Sequence, residues 1–221
     1  MKTSEVFHRT EYNSRGTQLS DGLYNVIIGL TLCWGFLVNA IMVKSIPAES
    51  IAAIHPIAFL IGYFASCFFG IMLYTKSDNP LISFIGYNFV VVPFGLIINL
   101  VVGRYDTALV YEAMSITGVV TFTMMVLGSM FPVFFQRIHT ALGFALITVI
   151  IVEIVGAVFF GVQHGIIDWI VVLIFCGYIG YDWGRANAIP KTIDNAIDSA
   201  AALYMDIIIL FIRILRIIGR R

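Results

Sequence analysis

Two aspartates stand where an apolar sequence has little reason to carry them. Asp182 lies in "CGYIGYDWGRA" and Asp206 in "ALYMDIIIL", each within a long apolar run and 24 residues apart. An ionised side chain at the centre of a membrane helix costs roughly 2.5–3.5 kcal/mol on insertion scales. Two carboxyl groups in contact in a low dielectric cannot both ionise cheaply, so they hold one proton between them. Singly protonated, such a pair closes on its own hydrogen bond. Deprotonated, it draws in a cation. It stabilises nothing by itself, which favours a functional role over a structural one.

Whether the two can meet depends on the turn "AIPKTIDN" between their runs. A turn near Asp194 sets both at one depth. A turn centred on Pro190 offsets them by about seven residues, roughly 10 Å at helical rise, and then a tilt or kink is needed.

Four more ionisable residues in apolar runs compete for attention. Glu112 and Asp168 fall near the starts of theirs and read as interfacial. Glu153 is deeper, with no evident basic partner in the sequence, and is either part of a polar cavity or a neutral buried acid. Arg213 follows Asp206 by seven residues, about 20° round the same helix face. It can pair with an acid on a neighbouring helix or snorkel to the interface. Snorkelling is preferred, because Arg216, Arg220 and Arg221 follow closely. Tyr181 and Tyr204 adjoin the aspartates and are candidate supporting groups.

These residues need apolar elements to position them. The chain has 221 residues, 60% hydrophobic and 12% charged, half the charged share of ordinary soluble domains. Its formal net charge is zero, so nothing suggests a nucleic-acid partner. Cys33, Cys67 and Cys176 lack metal-ligand spacing and read as packing residues. Apolar runs of about 20 residues span Leu23 to Val43, Ile54 to Tyr74, Leu81 to Val102, Ala108 to Phe131, Ala141 to Phe160, Ile166 past Tyr181, and Ala196 to Ile218. In hydrocarbon such runs must be helices. The expected organisation is an all-α polytopic membrane protein: a polar tail over 1–22, one seven-helix domain over 23–218, and a basic end at 219–221. Glycines 29, 35, 62, 70, 86, 95, 143 and 156 are read as helix-packing positions, and Pro93 as a kink. Lys and Arg in the loops lean towards a cytoplasmic N-terminus.

Two motifs carry a family resemblance. "YIGYDWGRA" and "SAAALYMDIIILFIRILRIIG" resemble the sixth and seventh helices of the Bax inhibitor-1 family, also called the transmembrane Bax inhibitor motif family. Tyr181-Asp182, Leu203-Tyr204-Met205-Asp206, Leu210-Phe211 and Arg213 match its pattern. The resemblance implies seven helices with the last one central, and a calcium leak gated by pH through the two aspartates. Ca²⁺ and H⁺ are then the partners, with Asp182 and Asp206 as transient calcium contacts and no resident cofactor. It implies a bacterial plasma membrane, or in eukaryotic members the endoplasmic reticulum or Golgi. The sequence departs from the pattern at Ile209, where the family often has Asn. The basic partner of the aspartates falls nearest to Lys76.

Two rival readings use the same aspartates. Intramembrane aspartyl proteases share the Tyr-Asp half of their motif with Tyr181-Asp182, but their Gly-x-Gly-Asp half is missing before Asp206. The expectation is therefore not an enzyme, with no catalytic residue assigned. A proton-coupled transporter would use Asp182, Asp206 and Glu153 as a relay, though no internal repeat supports one.

Overall fold

A computed structural model describes residues 17–160 and 165–220, and the regular structure among them is helical. The helices are α1 (Asp21–Ser45), α2 (Ala48–Ala52), α3 (Pro56–Lys76), α4 (Pro80–Val102), α5 (Thr107–Met130), α6 (Pro132–Val155), α7 (Gly165–Ala188) and α8 (Ile193–Ile218). A π-helical turn, Gly156–Phe160, continues α6. Most of the expected polar tail, and Arg221 of the basic end, lie outside the described residues.

Prolines set several of these boundaries. Pro56, Pro80 and Pro132 occupy the first turn of α3, α4 and α6, where a missing N–H costs nothing. Asn79 caps α4 by accepting from the Leu81 N–H at 2.9 Å, and Ser20 caps α1 through the Leu23 N–H. Pro132 corrects the sequence reading: "PVFFQR" is not a loop, and α6 starts nine residues before Ala141. Gln136, Arg137 and His139 interrupt the apolar run but not the helix. Glu153 therefore sits in the last turn of α6 rather than mid-span. The short α2 was not anticipated. α4 runs through the buried Pro93.

Six helices (α1, α3, α4, α5, α6 with part of its π turn, and α7) are long and apolar enough to cross a membrane. They display large apolar side chains such as Phe68, Phe144 and Phe159, each at least 70% exposed. Water does not tolerate such a surface and bilayer hydrocarbon does, so this is a multi-pass integral membrane protein. α8 is different in kind. It has 26 residues and carries Asp194, Asp198, Asp206, Arg213 and Arg216. From Asp194 to Ile218 no side chain is exposed.

The chain forms two compact units. The first contains α1–α4 and 189–204. In it α4 packs against α1, α2 and α3. Gly70 and Gly86 let the α3 and α4 backbones touch: a Cβ on Gly70 would stand 2.5 Å from the Gly86 carbonyl oxygen. Its polar core joins Asn39, Tyr87 and Tyr204, with the Tyr204 hydroxyl donating to Asn39 Oδ1 at 2.6 Å and the Tyr87 hydroxyl to the Thr31 carbonyl. Ser83 donates to Asp194 at 2.7 Å.

The second unit contains α5, α6, α7 and 205–220. Here α7 packs against both α5 and α6. Gly128 and Gly180 bring α5 and α7 together, and Gly177 receives Leu142 of α6. Of the glycines chosen from sequence, Gly35, Gly70, Gly86 and Gly95 do face tight neighbours. Gly29 and Gly62 face none, and Gly128, Gly177 and Gly180 were overlooked.

Candidate functional site

The second unit carries both sequence-selected aspartates. Asp182 is six residues from the end of α7 and Asp206 thirteen into α8, so the intervening turn is centred near Pro190. Mirrored antiparallel helices would leave them about seven residues apart in depth. The two carboxyl groups nevertheless lie within hydrogen-bonding reach of each other, so the helix ends are not simple mirror images. Both residues are buried, 8% and 7% exposed. Oδ2 of Asp206 is buried with no hydrogen-bond donor near it among the described residues. A bare carboxylate oxygen in that position is costly unless a donor or a cation meets it.

The cation beside the pair is Arg185. It sits one turn after Asp182 on α7, with Nη2 3.1 Å from Asp182 Oδ1, and it also acts on Asp206. Tyr178, one turn before Asp182, lies near both carboxyls. Tyr181 is clamped between His139 of α6, stacked at 4.0 Å between ring centroids, and the Arg185 guanidinium over its ring at 5.8 Å. Trp183 ties α7 to α5 by donating to Ser129 Oγ at 2.8 Å. Arg185 and Tyr178 of α7 thus act on the pair, and Tyr181 links Arg185 to His139 of α6. For the pair's basic partner the sequence alone directs attention to Arg213 or Lys76 instead. The i, i+3 spacing of Asp182 and Arg185 was the signal that could have found it.

Arg213 has a different employment. Its guanidinium donates to both carboxylate oxygens of Glu153, the Nη2 bond to Oε2 measuring 2.9 Å, and to Asp168 Oδ1 at 2.8 Å. Arg220 lies 2.7 Å from Asp168 Oδ2, and Arg216 3.9 Å from Oδ1. Two expectations are corrected here. Arg213 does not snorkel, because two acids hold it. Asp168, in the first turn of α7, is only 2% exposed, inside a ring of arginines. Glu153 does have a basic partner, hidden from a linear reading because it is 60 residues away. Glu112, by contrast, is exposed. Tyr204 belongs to the first unit, where its hydroxyl is engaged by Asn39.

Among the described residues no group of three or more His, Cys, Asp or Glu side chains is arranged to hold a metal ion. The pair supplies two oxygens' worth of charge and one proton position.

No curated protein matches the chain by sequence comparison. A family model does: the one described as inhibitor of apoptosis-promoting Bax1 matches residues 19–221, which takes in all eight helices and both aspartates. The chain belongs to that family.

Proposed function

We propose that the protein is a pH-sensitive calcium leak, with Asp182 and Asp206 as its proton-holding gate. In this reading α8 is the seventh span and the axis of the bundle. The observation that carries the reading is a pair of buried carboxyls in mutual reach with one guanidinium, Arg185, beside them.

The proximity of the two acids gives the mechanism. Two buried carboxyls in mutual reach cannot both ionise cheaply, so one stays neutral and donates its proton to the other, beside the Arg185 guanidinium. That state is closed on itself and offers a cation nothing. Losing the proton leaves two negative charges side by side in a low dielectric. The carboxylates repel, and the excess charge is met by a cation arriving along the pathway. The sign follows: protonation closes, deprotonation opens, and the leak rises with pH.

The test is Ca²⁺ flux into proteoliposomes under a fixed calcium gradient. The rate is expected to rise between about pH 6 and 8, the range for a shared-proton pair. Asp182→Asn and Asp206→Asn should each flatten that profile, whereas His139→Gln should leave its midpoint in place. An unchanged profile in both aspartate variants sinks the gate. A midpoint that moves only with His139→Gln hands the sensing to the histidine. Cleavage of a membrane-spanning peptide, lost in both aspartate variants, would replace the leak with a protease.

A further inference from the structure

The arginine cluster at the end of α8 encloses more than ion pairs. A cavity of about 300 Å³ opens beside it, lined by Glu153, Asp168, Arg213, Arg216 and Arg220 on one side and by apolar residues of α6, its π turn and α7 on the other. Ile154 and Ile167 belong to that apolar wall. Ile154 is 58% exposed, and Ile166 and Phe159 beside the wall are 69% and 75% exposed, so the wall continues into a lipid-facing surface.

The charges do not cancel. Three guanidiniums face two carboxylates, an excess of one positive charge. Arg213 spends its donors on both acids. Arg216 and Arg220 do not: among the described residues Arg216 has Asp168 at 3.9 Å, beyond hydrogen-bond range, and Arg220 is joined to Asp168 through Nη2 alone. Each guanidinium has five N–H donors in a planar fork that matches a phosphate. Both are about a third exposed, within reach of a ligand in the cavity. Gly165 at the start of α7 leaves room for this, since a Cβ there would stand 2.8 Å from Arg220 Nη1.

We infer that this cavity binds the phosphate of an anionic phospholipid, with Arg216 and Arg220 on the phosphate and an acyl chain along the apolar wall at Ile154 and Ile167. One net positive charge suits one phosphodiester. A basic pocket between membrane helices next to lipid-facing side chains is where an anionic headgroup is favoured over a zwitterionic one. The site is separate from the aspartate pair, and its test does not involve calcium flux.

Native mass spectrometry of the purified full chain tests it, with lipid added as phosphatidylglycerol or phosphatidylcholine at equal concentration. Retention of phosphatidylglycerol is expected to exceed that of phosphatidylcholine roughly tenfold. The Arg216→Gln/Arg220→Gln double variant should lose the preference. Arg220→Gln alone leaves Arg213 holding both acids and the fold intact, and should lose part of it. Equal retention of the two lipids, or an unchanged preference in both variants, overturns the site. In a parallel arm with inorganic phosphate and no lipid, phosphate raising the thermal midpoint as far as phosphatidylglycerol does would overturn the lipid as the ligand's source. A shift with phosphatidylglycerol only supports it.

Discussion

At the residue scale, the same buried acid has two fates in this protein. Asp206 meets another carboxyl and has one shared cation; Asp168 meets three arginines. The first arrangement is poised, the second ion-paired. Substitutions should separate them. Arg213→Gln strands Glu153 and part of Asp168, and breaking a buried pair from one side costs about 3 kcal/mol, the lower end of the range because Glu153 is a third exposed. A lower thermal midpoint in detergent is the expected result. Asp206→Asn puts a neutral amide in place of a proton-sharing carboxyl, and should leave that midpoint nearly unchanged or raise it. If the two variants fall equally, the distinction between poised and ion-paired acids is wrong.

At the element scale, glycines mark where helices touch. Gly70→Leu would drive a side chain into the Gly86 backbone, and Gly128→Leu into Gly180. Overpacking of this kind costs roughly 1–3 kcal/mol, read as a drop in thermal midpoint. Gly29→Leu meets nothing within 4 Å and should be neutral. Sequence alone could not rank these positions, because a glycine's neighbours are on another helix. The same limit hid the start of α6. Gln136, Arg137 and His139 break the hydropathy that defines a span, yet Pro132 at the first helical position already announced the helix. Caps and prolines were the better boundary signals here.

At the scale of the whole molecule, composition was enough to declare a helical membrane protein. Two motifs were enough to point to the family, whereas the 24-residue spacing left open whether the aspartates meet, because it fits a turn at Asp194 or at Pro190. What the sequence withheld was pairing across distance: Glu153 with Arg213, Tyr204 with Asn39, Ser83 with Asp194. Each joins residues between 60 and 165 positions apart. No local pattern encodes them. The membrane assignment predicts that the protein stays in the pellet after alkaline carbonate extraction and is released by detergent. Recovery in the carbonate supernatant would contradict it.

One helix, α8, supplies residues to both compact units. A ribosome reaches it only after α1–α7 have been made. Until Arg213, Arg216 and Arg220 emerge, Glu153 and Asp168 wait in the bilayer with none of those three cations. Nascent chains halted before residue 205 should therefore be cleared by membrane quality control faster than chains that reach residue 220, as a pulse-chase comparison would reveal. Equal lifetimes would mean that the first seven helices hold together without their last companion.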